Sequence, residues 1–163
     1  MKKPMIIPGF QFAGIHCGIK DDRRKADLAL IYSEEPNTLV DGMFTTNQVC
    51  AAPVHRCRQV VQKGKARLVV VNSGIANACT GWLGMKNAIK TQKSAAKIFS
   101  LKPNQVFVCS TGKIGDQLPM GKLLQGLKAA RQKMGPHQFL KAAQGRMTTD
   151  QYPKYAAITD YLG

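Results

Sequence analysis

The sequence predicts an α/β protein, a layered domain in which a mixed β-sheet is packed by helices. Three observations carry that prediction. Apolar strand-like runs alternate with helical patterns through the second half of the chain. A pair of β-former segments in the first half reads as a hairpin. One run, "ARLVVVNSG" (66–74), is continuously Val-rich, as expected of a strand buried on both faces.

Taken in order, "ADLALIYS" (26–33) shows short alternation and β-formers and is expected to be a strand, with "GMFTTN" (42–47) as its partner. "PNTLVDG" (36–42) between them carries turn residues. After the Val-rich strand, the stretch 82–101 sets Met85, Ile89, Ala96 and Phe99 at helical spacing, with lysines on the opposite side. "QVFVCS" (105–110) follows as a strand. A helix is expected from Pro119, a residue suited to the first helical position, to about Met134, with Gly135 as its C′ residue. "PHQFLKAAQG" (136–145) reads as a last short helix before "RMTTDQYPKYA". Strand order cannot be read from such patterns. There is no internal repeat and no low-complexity linker, so 1–163 is expected to form one domain.

Composition narrows the function classes. Hydrophobic residues make up 44% of the 163 and charged residues 20%, the balance of a globular protein. No apolar run approaches the roughly 20 residues of a membrane span. In "MKKPMIIPGFQFAG", Pro4, Pro8 and Gln11 interrupt the apolar part, which reads against a signal peptide and for a cytoplasmic, membrane-free protein. The net charge of +15 would suit a phosphate backbone. Its lysines and arginines are spread along the whole chain, however, and are not interleaved with aromatics, so solvated helix faces account for them and no nucleic-acid partner is expected. A partner chain that balances the charge is a further reading.

Five cysteines form no CxxC pair, which reads against a disulfide framework and a structural zinc site. The pairs His16-Cys17 and His55/Cys57 match no zinc spacing. No metal and no cofactor are expected. The three histidines lie beside no recognisable nucleophile motif, and neither a Walker A loop nor GxGxxG is present.

Two loops share a pattern. "VVVNSGIANACTG" (69–81) and "VFVCSTGKIG" (106–115) each leave an apolar strand through a Ser/Thr–Gly step and lead toward a helix. In the second, Thr111 offers a hydroxyl, and Gly112, with no Cβ, offers a backbone N–H that a substrate can approach closely. Local pattern leaves two readings open: an ordinary turn, or an oxyanion site. The cluster Met147-Thr148-Thr149-Asp150 is equally open between turn chemistry and a ligand contact.

Taken together, "DLALIYS", "GMFTTNQVCAAPV", "VVNSGIANACTG", "STGKIGDQLPMGK" and "MTTDQYPK" resemble the ornithine acetyltransferase family, the bifunctional glutamate N-acetyltransferases of arginine biosynthesis. The likeness runs from about Gly9 to Tyr155. It implies one precursor that cuts itself before a threonine to give an α and a β chain, assembled as an α2β2 heterotetramer. The new N-terminal Thr of the β chain is then the nucleophile. It moves an acetyl group from N-acetylornithine, or in some members acetyl-CoA, to glutamate. The resemblance further implies that Thr111 and Gly112 form the oxyanion hole and that Thr148 binds substrate. The family's substrate-binding Lys and nucleophilic Thr lie in a segment after the "TTD" region that this sequence does not contain. Ile75 stands where Asn is expected, and Gly145-Arg146 where small apolar residues are usual. The expectation is an α chain completed by a separate β chain and inactive without it. The alternatives are a truncated, non-catalytic remnant of the same fold and a basic nucleic-acid-binding domain.

Overall fold

The computed structural model describes residues 6–158; both ends of the predicted 1–163 domain lie outside that range. Four strands form one sheet in the order β1-β2-β3-β4: β1 (Phe10–Ile15), β2 (Leu28–Ser33), β3 (Leu68–Ile75) and β4 (Val106–Lys113). β1 pairs β2, and β2 pairs β3, antiparallel; β3 pairs β4 in parallel. A parallel pair needs a long crossover, here supplied by α2 (Gly81–Ile98). The mixed sheet expected from sequence is therefore present.

Strand alternation sorts the sheet's two faces. Leu28, Leu30, Leu68, Val70, Val106 and Val108 point to one face and form the main core with α2 and α3 (Met120–Gln132). Ala88, Ala95 and Ala96 are the buried apolar residues of α2, and their small side chains let the helix lie close to the strands. The opposite face carries Phe12 and Ala29, packed against Ala142 of α4 (Phe139–Gly145). Gly145 permits this approach: a Cβ there would stand 2.8 Å from the Leu28 carbonyl oxygen. That requirement explains the glycine at a position where the resemblance led one to expect a small apolar residue. α1 (Ala52–Val61) packs along β4 and α2.

The expected strand at 42–47 is not formed. The Thr45 hydroxyl accepts the Asn47 N–H and the Asn47 side chain accepts the Val49 N–H, so side chains take the backbone donors that a ladder would need. β2 pairs instead with β1 and β3, two segments distant in sequence. α3 begins at Met120, one residue after Pro119, and ends at Gln132. Gly135 is not its C′ residue; it exchanges backbone hydrogen bonds with Phe12 of β1.

Candidate active site

The Ser110-Thr111-Gly112 triplet lies inside β4, whose ladder runs on to Lys113. β4 is an edge strand, so only one side of its backbone is paired. The Lys113 carbonyl accepts the Ala76 N–H at 2.8 Å and the Gln105 carbonyl accepts the Arg67 N–H at 2.9 Å. Odd-numbered residues therefore turn their backbone groups toward β3, and even-numbered residues toward the open edge. Along that edge the Val106 carbonyl accepts Gln92 Nε2 at 2.8 Å and the Val108 carbonyl accepts the Cys57 thiol at 3.2 Å. By the same alternation the N–H of Gly112 faces outward, and Gly112 is exposed. No side chain and no backbone carbonyl outside the sheet ladder accepts it among the described residues.

Gly112 has φ +132°, and an added Cβ would stand 2.2 Å from the carbonyl carbon of Gly74, its partner in register. Both facts demand glycine. Thr111 pairs with Ser73 and shares its sheet face. No buried side-chain polar atom lacks a partner among the described residues. The Thr111 hydroxyl makes no hydrogen bond to them, so it reaches solvent. Ser110 serves the fold instead. Its hydroxyl donates to Asn72 Oδ1 at 2.6 Å, and Asn72 Nδ2 donates to the Ile75 carbonyl at 2.8 Å.

The neighbouring loop 74–80 turns through positive φ at Gly74, Asn77 and Cys79. Asn77 is fully buried; its amide donates to the Gly84 carbonyl at 3.0 Å and its oxygen accepts the Thr80 hydroxyl at 2.8 Å. It fastens the start of α2. Ile75 is partly buried against the main core.

Sequence reasoning missed the residue that organises this end of the sheet. Asp27 is fully buried, and its carboxylate accepts the backbone N–H groups of Cys17 (2.6 Å), Gly18 (3.1 Å), Ile19 (2.8 Å) and Lys20 (3.0 Å). His16 Nδ1 stands 3.2 Å away. Burial alone would raise the Asp27 pKa, but the backbone donors of Cys17 and Lys20, the Cys17 thiol and His16 together hold it below the ordinary carboxylate range. Burial and the adjacent carboxylate push the Cys17 thiol far up, so it stays protonated. The loop so held presents Lys20, whose ammonium donates to the Ala26 carbonyl at 2.9 Å and the Met147 carbonyl at 2.6 Å. Burial lowers the Lys20 pKa, partly offset by Asp27. An acid immediately before a buried strand was the available signal.

Two ties bring the 147–150 cluster to the same end of the sheet as Thr111. The Ser73 hydroxyl donates to the Gly145 carbonyl at 2.8 Å, and Lys20 holds Met147. An added Cβ on Gly74 would meet Ile19 Cγ2 at 3.0 Å and Lys20 Cγ at 3.3 Å, so the 16–20 loop lies directly against the β3 end that pairs with Gly112. Thr148 itself lines a cavity of about 1110 Å³; Thr111 and Gly112 lie outside its wall. The Asp150 carboxylate pairs with Lys154 at 2.8 Å, which holds its pKa below the ordinary range. Arg146 donates to the Lys154 carbonyl at 3.0 Å. Cys50 Sγ lies 3.2 Å from His55 Nε2, with no third His, Cys, Asp or Glu beside them among the described residues.

The family model described as "ArgJ family" matches residues 11–162. The arginine biosynthesis bifunctional protein ArgJ of Bifidobacterium longum is 40% identical over 157 residues, covering 95% of this chain and 40% of the relative. That of Lactococcus lactis is 46% identical over 146 residues, covering 90% and 36%. The chain thus spans about 40% or less of the length of these curated relatives. The crystal structure of ornithine acetyltransferase complexed with ornithine from Mycobacterium tuberculosis superposes with a TM-score of 0.85 at 43% identity, covering 88% of this chain and 78% of that one. The Bacillus halodurans ArgJ structure gives 0.80 at 33% identity, covering 88% and 74%. A family match over nearly the whole length, with a fold shared at these identities, means that this chain belongs to the ArgJ family.

Proposed function

We propose that this chain is the α-chain portion of a glutamate N-acetyltransferase. It would act with a β chain whose N-terminal Thr is the nucleophile, in an α2β2 heterotetramer in the cytoplasm. The acetyl group comes from N-acetylornithine, with acetyl-CoA as a second donor, and passes to glutamate. The Thr attacks the acetyl carbonyl, and the carbonyl oxygen gains negative charge in the tetrahedral intermediate. The Thr111 hydroxyl and the Gly112 N–H donate to that oxygen; Thr148 contacts the substrate. No step calls for a metal or a bound cofactor.

The single observation that carries this reading is the outward-facing Gly112 N–H, beside a threonine hydroxyl with no partner among the described residues. Donors fixed in a ladder before the charge develops need no reorganisation when it does, which is the condition under which they accelerate acyl transfer most. Coverage adds support for two chains. A match over 88% of this chain accounts for 78% of the solved M. tuberculosis chain, whereas one over 95% accounts for only 40% of the full B. longum relative, so that solved chain is itself a short one.

Native mass spectrometry of the complex purified from its own cells tests the reading. A second chain that begins with Thr, co-purifying in equal copy number and required for acetyl transfer from N-acetylornithine to glutamate, is the expected result. Full turnover by the 163-residue chain alone would place the nucleophile elsewhere.

A further inference from the structure

A row of one charge runs along α2, whose winding sorts its residues to two sides. Ala88, Gln92, Ala95 and Ala96 are buried, while Lys86, Lys90, Lys93 and Lys97 are exposed. At 3.6 residues per turn, Trp82 and these four lysines fall within about 80° of arc and span about 22 Å of the helix axis. Along the sequence the lysines are dispersed. Wound into a helix, they line up with an aromatic ring at the head of the row.

No carboxylate answers this row. Neither α2 nor the adjoining α3 contains an acid, and between Asp41 and Asp150 the sequence holds only Asp116. The ion pairs found among the described residues include none of the four lysines. Lys86/Lys90, Lys90/Lys93 and Lys93/Lys97 stand at the helical spacings where like charges repel and where a Glu or Asp would relieve them. Lys97 alone sits in the last turn, where the helix dipole favours a cation. The counter-charge is left to come from outside the chain.

Trp82 narrows what can bring it. The ring is 76% exposed, and Lys86 Nζ lies over one of its faces at 5.5 Å from the centroid. The other face is open. An acidic peptide would neutralise the lysines and leave the indole in water, whereas an unpaired base covers it by stacking while its phosphates follow the cations. A duplex keeps its bases stacked inside, out of reach of the ring.

We infer that the exposed side of α2 binds single-stranded nucleic acid, with one base stacked on Trp82 and the phosphates running along Lys86, Lys90, Lys93 and Lys97. The inference does not rest on the acetyl-transfer reading, since Thr111, Gly112 and Thr148 take no part in it.

Trp82 is the chain's one tryptophan, so its fluorescence reports on this site. Titrating the full 163-residue chain with an oligouridylate of about twelve nucleotides should quench that fluorescence saturably. The affinity should fall with salt at a log–log slope of about −3, the value for four phosphate contacts on a single strand. Lys90→Glu/Lys93→Glu should weaken binding about tenfold or more and reduce the slope to about −1.5. Lys63→Glu/Lys65→Glu makes the same change in net charge at exposed positions off α2 and should leave the Kd within about threefold. By anisotropy of labelled RNA, Trp82→Ala should weaken binding about tenfold, and Trp82→Phe should recover most of that loss. Circular dichroism confirms that each variant is folded. Absence of quenching at low salt would overturn the proposal. So would equal losses in the two double variants, which would reduce the effect to overall charge. Tighter binding of a duplex of the same length would make the row a duplex surface, and polyglutamate displacing the RNA at equal charge would make it a surface for acidic chains; either result overturns the assignment.

Discussion

Residues at this end of the sheet play separable roles, and substitutions should tell them apart. Gly112 is required twice, by its positive φ and by the Gly74 backbone that a Cβ would strike at 2.2 Å. Gly112→Ala should therefore cost about 2 kcal/mol or more of stability in urea unfolding, independent of any substrate. Asp27 stabilises by a different mechanism. Its folded pKa lies below the unfolded value of about 3.9. The stabilisation is complete above the unfolded value and is lost as pH falls through the folded one. Asp27→Asn should remove about 1.5–3 kcal/mol at neutral pH, since the four backbone donors lose a charged acceptor. The gap from wild type should close in acid. A gap that stays constant from pH 7 down to about pH 2 would contradict the role given to this carboxylate.

Among the elements, those carried by strong local pattern were legible and those fixed by tertiary pairing were not. β2, β3 and β4 announced themselves by Leu- and Val-rich runs, and α2, α3 and α4 by spacing. β1 was missed because "FQFAGI" is short and holds Gly14, which the structure needs where the α4 backbone crosses it: a Cβ would lie 1.8 Å from the Lys141 carbonyl oxygen. α1 was missed although Pro53, Cys57 and Val60 fall at helical spacing after a proline start, a signal that could have been used. "GMFTTN" misled because β-formers without a free neighbouring edge do not make a strand. The buried stripe of α2 includes Asn87, Thr91 and Gln92, polar residues that a hydrophobic count passes over. Gln92 joins this helix to β4 and α1 at once, donating to the Val106 carbonyl at 2.8 Å and accepting Arg56 Nη2 at 2.7 Å. Gln92→Leu should cost about 1–3 kcal/mol, because the Val106 carbonyl loses its donor inside the fold and the Arg56 guanidinium keeps only Gln59. Chemical denaturation gives the value directly, and a neutral result would show that the sheet edge is held by packing alone.

At the scale of the whole molecule, one end of the sheet gathers the C-terminal ends of β3 and β4, the 16–20 loop and the segment after α4. That is where parallel strand pairs place ligand sites. The sequence suggested Thr111, Gly112 and Thr148 through motifs, but not what brings the segments carrying them to one end of the sheet. Asp27, Lys20 and Ser73 do that through backbone groups, which leave no local signature. Met43, Val49, Trp82 and Ile114 are exposed apolar side chains on the same chain, in keeping with a protein proposed to work beside a second polypeptide.

Steady-state acetyl transfer by the two-chain complex carrying Thr111→Ala tests the central claim most directly. The donors are proposed to act on charge present only in the transition state, so kcat should fall about 100- to 1,000-fold. KM for N-acetylornithine should change little, and the melting temperature should hold, because the hydroxyl makes no contact with a polar group among the described residues. An unchanged kcat in a folded, assembled complex would contradict the assignment of Thr111 to the oxyanion.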